Sequence, residues 1–286
     1  MKASDFHLRR RLVLALAFAP AYALAQSAGE DFRPQVGQSG KDVIWVPTPD
    51  ALVERMLQMA QVGPKDFVVD LGSGDGRTVV AAAKKFRARS LGIEYNPAMV
   101  ELSRRNAEKE GVADTAKFIQ GDIFASDFSQ ATVVTLYLLD DLNLRLRPKL
   151  LEMKPGTRLV SHEFDMGDWR PDETSRIDES PAHLWVVPAK VGGNWKLEHD
   201  IGADDDPVLS LTQKFQKVEG AIVSKSRRFG LRDVRLRGDR LEFGLVDYRG
   251  VLREFSGGVR GNLISGSVRA GGKPAGRFLA RRVSAG

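Results

Sequence analysis

The chain has 286 residues, 42% hydrophobic and 28% charged, a balance that excludes a disordered or fibrous protein and is enough for one large or two ordinary domains. It has no cysteine, which excludes disulfides, thiolate nucleophiles and thiolate metal sites. Its net charge of +6 is unevenly spread: residues 207–286 hold 17 Lys/Arg against 6 Asp/Glu (+11), residues 1–25 carry +3, and residues 26–206 carry −8.

The first 25 residues read as a signal peptide. Lys2 and Arg9-Arg10-Arg11 form a positive start, residues 12–25 are an uncharged run of 14, and Ala23-Leu24-Ala25 is the small-x-small pattern of a cleavage site. The run is shorter than the roughly 20 residues of a membrane helix. The expectation is an exported, periplasmic protein starting at Gln26, with no membrane span left after cleavage. Arg9-Arg10 followed by Arg11-Leu12-Val13 fits a twin-arginine signal as well as an ordinary secretory one.

Leu52, Val53, Met56, Leu57 and Ala60 carry helical periodicity over 50–60, after the start signal of Pro49 and Asp50. Residues 67–71 are a short apolar strand, followed by a glycine turn at 72–76 and an Ala-rich helix at 77–86. The alternation continues: a strand at 90–94, a helix at 97–110 closed by Gly111, strands at 116–119 and 131–139, a helix at 141–153 and a strand at 158–163. Strands alternating with helices of this length predict an α/β fold with a doubly wound, mostly parallel sheet. Residues 184–188 and 195–197 are expected to form a final hairpin of this domain.

Beyond Asp204-Asp205-Asp206 the pattern changes. Alternating runs at 209–215, 241–246 and 278–283, separated by glycine turns, predict six or seven short strands in a small antiparallel sheet or partly closed barrel. The expected organisation is a signal peptide at 1–25, an α/β domain at 26–203 and a basic antiparallel β-domain at 204–286. Phe215, Phe229, Phe243, Tyr248, Phe255 and Phe278 fall mostly on strand alternations and are expected in its core. Its charge suits either solubility alone or an anionic partner, such as phospholipid head groups or an acidic protein. An exported chain is not expected to meet nucleic acid, although the charge would suit it. The histidines, His7, His162, His183 and His199, show no ligand spacing, so no metal site is expected.

A glycine turn directly after a buried parallel strand lies at the carboxyl end of the sheet, where such folds bind ligands. Glycines there permit positive φ and close approach of a ligand. The dinucleotide fingerprint G-x-G-x-x-G fails, because Arg77 or Val79 stands at its last position. What stands instead is Asp70-Leu-Gly72-Ser73-Gly74-Asp-Gly76, and further carboxylates, Glu94 and Asp122, follow the next two strands, Glu94 lying 24 residues after Asp70.

This constellation resembles class I S-adenosylmethionine-dependent methyltransferases, and within them the protein-lysine methyltransferases of the nucleosomal and ATP-synthase c-ring types. The shared segments are Val46-Pro-Thr-Pro49, Asp70–Gly76, Gly92-Ile-Glu94, Gly121-Asp-Ile-Phe124 and residues 144–164. The resemblance spans residues 44–190 and none of the tail. It implies S-adenosyl-L-methionine as cofactor, held by Thr48, Asp70, Gly72, Ser73, Gly74, Gly76, Glu94, Asp122 and Ile123. Thr48 would lie on a loop over the cofactor, Glu94 would take the ribose hydroxyls and Asp122 the adenine amino group. The family's Asn/Asp-Pro-Pro-Tyr acceptor motif is absent, with Thr135-Leu-Tyr-Leu-Leu139 in its place.

Methyl transfer from a sulfonium is an in-line displacement that needs orientation and water exclusion. A lysine acceptor must first lose its proton, which an apolar pocket favours. Tyr137 is the candidate wall for the incoming amine, and Glu163 its candidate acidic partner. Packing at a strand end is the plainer role for both. The expected function is methyl transfer to a lysine on a protein substrate. The rivals are a small-molecule methyltransferase and a non-catalytic envelope module acting through the β-domain.

Overall fold

Four of the five residues of β1 (Phe67–Leu71) are buried, as a central strand covered on both faces requires. The computed structural model describes residues 32–199, 206–225 and 227–285. The signal-peptide expectation lies outside them. After α1 (Asp50–Met59) and β1 come α2 (Arg77–Phe86), β2 (Arg89–Glu94), α3 (Pro97–Lys109), β3 (Ala116–Gln120), β4 (Val133–Leu136), α4 (Asp140–Leu151), β5 (Arg158–His162), β6 (Glu173–Ile177) and β7 (Ser180–Val186). They build a seven-stranded sheet in the order β3-β2-β1-β4-β5-β7-β6. The first five in that order run parallel, and β7 is antiparallel to both β5 and β6. The order reverses between β1 and β4, the switch point at which open α/β sheets bind ligands.

Two strand ends differ from expectation, and both bear on the site. β4 stops at Leu136, not 139, so Tyr137, Leu138 and Leu139 leave the sheet and run along the cavity described below. β5 stops at His162, because Glu163 takes a φ of 66° that no strand accommodates.

The expected hairpin of 184–188 with 195–197 does not form. Leu184 lies in β7, whereas Trp195 lies in β8 (Gly193–Glu198), which belongs to a second sheet. That sheet continues with β9 (Val208–Lys214), β10 (Lys217–Val223), β11 (Arg228–Gly230), β12 (Arg232–Arg237), β13 (Arg240–Val246), β14 (Leu252–Arg260), β15 (Leu263–Ala270) and β16 (Lys273–Ala285). Its order is β11-β10-β9-β8-β16-β15-β14-β13-β12. Its first strand therefore starts ahead of the expected boundary at 204.

The two edges of this sheet are consecutive stretches of chain. Leu231 alone separates β11, paired to β10, from β12, paired to β13, and its N–H continues the β10 ladder by donating to Gly220 O at 3.1 Å. The sheet thereby comes close to closing on itself, which leaves little free edge. Inward positions fill it: Trp195, Phe229, Phe243, Phe255 and Phe278 are buried there, with Phe243 stacked on Phe255 at 4.7 Å. Two aromatics expected in that core lie elsewhere. Phe215 stacks at 5.8 Å on Trp169, beside the first sheet, and Tyr248 sits on an exposed turn.

Candidate active site

The turn after β1 needs its glycines for conformation. Gly72, Gly74 and Gly76 all have positive φ, at 77°, 54° and 81°. At Gly74 the reason is also steric, because a Cβ there would stand 2.7 Å from Trp45 Nε1. Trp45 belongs to a strap, residues 37–48, that folds back on itself through Gly37 N–H to Trp45 O (2.8 Å) and Trp45 N–H to Gln38 O (2.9 Å). Arg77 anchors the base of the strap, donating to Thr48 O at 2.9 Å while its guanidinium grips Asp75 at 2.7 Å.

Strap, glycine turn and the ends of β2 and β4 enclose a cavity of about 310 Å³. Thr48, Asp70, Gly72, Ser73, Gly74, Glu94, Asp122, Ile123 and Tyr137 all line it. Gly76 does not; it packs beneath, where a Cβ would strike Phe118 and Ser103. Glu163 does not either, being exposed beyond the end of β5.

Asp70 is 7% exposed and accepts from Thr135 Oγ1 at 2.6 Å. Burial, reinforced by the charges of Asp75 and Glu94, pushes its carboxyl up to about 7. Glu94 accepts from Gly74 N–H at 3.0 Å and Asn96 N–H at 2.9 Å. A carboxylate has about four acceptor positions, so two remain for a ligand. Asp122 accepts from Phe124 N–H at 2.9 Å and from Lys41 Nζ at 2.7 Å, and the Lys41 bond holds it below the usual carboxylate range.

Tyr137 closes the other end. Its ring lies 3.8 Å from that of His162 and 6.1 Å from that of Phe164, and burial raises its phenol above the usual value. His162, 3% exposed, meets Thr48 Oγ1 through Nδ1 at 3.1 Å, and burial pushes its imidazole down to about 4, so it is neutral at ordinary pH. Sequence reasoning missed His162, Lys41, Trp45 and Arg77. Of these only Arg77 stood beside a motif; the others enter through pairings distant in the chain.

The site suits a cationic ligand with a ribose and a purine. It offers three carboxylates in an acidic half of the chain, and backbone held open by glycines where a side chain would intrude. Buried Ser73 Oγ has no hydrogen-bond partner among the described residues. Fold and site together define an S-adenosylmethionine-dependent methyltransferase of class I.

Comparison with known proteins agrees. The family described as the ANTKMT methyltransferase domain matches residues 70–173. A protein-lysine N-methyltransferase of Saccharolobus islandicus is 45% identical over 151 residues, 51% of this chain and 94% of the relative. The human lysine N-methyltransferase that acts on the c-ring protein of ATP synthase is 37% identical over 51% of this chain and 61% of its own length. A solved Salinibacter ruber protein, described as an RNA methyltransferase in complex with S-adenosyl-L-homocysteine, is 50% identical with a TM-score of 0.50, over 51% of this chain and 96% of that one. The chain belongs to the protein-lysine N-methyltransferase family of its archaeal relative, which makes it an enzyme and sets aside the reading as a non-catalytic module.

Proposed function

We propose that this enzyme methylates a lysine amine on a protein. The observation that carries the proposal is its 45% identity over nearly the full length of an archaeal protein-lysine N-methyltransferase. The aromatic end of the cavity supports it. Tyr137 and Phe164 offer a slot whose apolar walls disfavour an ammonium, so an entering lysine sheds its proton more readily. The bound cofactor supplies a methyl group on a positively charged sulfur. The protein's part is to orient the amine, with Tyr137 as wall, and to exclude water beneath the strap.

The Salinibacter ruber relative motivates a second reading, an RNA acceptor. One experiment separates them. Extract from cells lacking this chain is incubated with purified enzyme and tritium-methyl cofactor, then split into protein, RNA and small-molecule fractions. Label recovered as ε-N-methyl-lysine supports the proposal, and label confined to RNA or small molecules overturns it.

We further infer export through the twin-arginine route, which moves folded proteins and so would carry an enzyme already closed on its cofactor. Arg9→Lys/Arg10→Lys should abolish periplasmic recovery; normal recovery would exclude that route. The second sheet is inferred to be a separable domain whose strands begin at Gly193, where β8 enters between β9 and β16.

Its proposed partner is an anionic phospholipid surface. On the turn between β13 and β14, Tyr248 is 42% exposed and lies between two guanidinium groups, Arg227 at 5.6 Å and Arg249 at 5.0 Å. Exposed Val246 and Leu252 pair beside it. Apolar and aromatic groups ringed by arginine suit a headgroup layer better than an acidic protein. Sedimentation with phosphatidylglycerol vesicles, lost in Tyr248→Ala/Arg249→Glu and absent with phosphatidylcholine, is the expected result. No sedimentation with either lipid would overturn it.

A further inference from the structure

The end of β5 stores backbone strain that the cofactor site alone does not require. Glu163, with φ of 66°, sits at the centre of a tight turn in which Phe164 N–H donates to His162 O at 2.8 Å. This is the strained, positive-φ form of the γ-turn, costing about 1–3 kcal/mol for a residue other than glycine. Its surroundings hold it in place. Glu163 N–H donates to Pro181 O at 2.9 Å, His183 Nε2 donates to Glu163 O at 3.2 Å, and Asn143 Nδ2 donates to Phe164 O at 3.3 Å.

The turn sorts three successive side chains. His162 is buried, Glu163 is exposed to solvent, and Phe164 lines the cavity. His162 then touches both halves of the site. Its Nδ1 meets Thr48 Oγ1 at the base of the strap, and its ring lies 3.8 Å from that of Tyr137 at the acceptor end. No other residue described in the site contacts both.

We propose that His162 is a positioning residue with two separable duties. Through Thr48 it keeps the strap closed over the cofactor, and through Tyr137 it sets the ring that receives the acceptor amine. The second duty rests on the lysine-acceptor reading; the first does not.

Two substitutions divide the duties. His162→Phe keeps a ring against Tyr137 but cannot bond Thr48. His162→Asn keeps a polar atom for Thr48 but has no ring. Cofactor dwell time is followed by stopped-flow fluorescence of the tryptophans, displacing bound S-adenosylmethionine with excess S-adenosyl-L-homocysteine. Methyl transfer is followed with tritium-methyl cofactor at saturation and poly-L-lysine as acceptor.

His162→Phe should release cofactor roughly three- to tenfold faster, the worth of one hydrogen bond, with saturated transfer within about twofold of wild type. His162→Asn should do the reverse, with near-normal dwell time and transfer reduced on the order of tenfold, as for lost substrate positioning. Thr48→Val should reproduce the faster release and gives the same test if either His162 variant fails to fold. Both His162 variants losing both properties together, or neither losing any, would overturn the proposal. Wild type that binds cofactor but leaves poly-L-lysine unlabelled would argue against the lysine reading. The first duty is then decided by dwell time alone, and unchanged release in His162→Phe and Thr48→Val would overturn it.

Discussion

Lys41 Nζ donates to Asp122 Oδ2 at 2.7 Å and lies 4.8 Å from the centre of the Tyr95 ring. The carboxylate assigned to the adenine amino group is therefore already engaged by the chain's own strap. An entering cofactor has to displace a lysine at the adenine end before Asp122 can bond it. Lys41→Met removes that competitor, and S-adenosylmethionine should bind roughly two- to fivefold more tightly, the range of an exposed ion pair. Titration calorimetry reads this directly, and weaker binding would mean that Lys41 helps to hold the cofactor.

Asp70 makes cofactor affinity depend on pH. Its carboxyl is raised to about 7, so in the free enzyme it is half protonated near neutrality and neutral below. Only the carboxylate attracts a cationic ligand. Affinity should hold above pH 7 and fall by up to about tenfold per unit as pH drops below it. Calorimetry at pH 7 in buffers of different ionisation enthalpy should show a proton released on binding. An affinity flat from pH 8 to 6 would contradict the assignment.

His162 acts on stability in the same pH direction. Burial depresses its folded value to about 4, below the ordinary 6.5, so only the unfolded chain takes up a proton between those limits. Its contribution is intact above pH 6.5 and is lost as pH falls toward 4, about 2 kcal/mol by pH 5. Denaturant unfolding at pH 7.5 and 5 should show this loss in wild type and a shallower one in His162→Phe. Equal slopes would show that the imidazole is not desolvated.

Glu163 separates a chemical role from a conformational one. It does not line the cavity and has positive φ. Glu163→Gln should leave saturated methyl transfer within about twofold, since it keeps the backbone and removes only a solvent-facing charge. Glu163→Gly relieves the turn and should be more stable by about 1 kcal/mol, with transfer reduced because Phe164 and His162 lose their fixed aim. A large loss in the glutamine variant alone would restore Glu163 as an acidic partner.

The cofactor half was legible because its signals are local. Val68, Val69 and Leu71 announce a buried strand, Gly72, Gly74 and Gly76 a turn at positive φ, and Glu94 and Asp122 recur after successive strands of a βαβ series. Each rests on the hydrophobic period or backbone freedom of neighbouring residues, which a sequence carries explicitly. The partner of a strand carries no such mark. The alternation of Trp195 and Leu197 is the same whether they pair with the strand before them or with residues 279–282 across the chain, and the second arrangement, which buries them inside the nearly closed sheet, prevailed. The acceptor end was decided the same way. His162 became the link between Thr48 and Tyr137 because folding brings residues 48, 137 and 162 together at one end of a sheet. No spacing of residues encodes that meeting; it follows from the order in which parallel strands lie side by side.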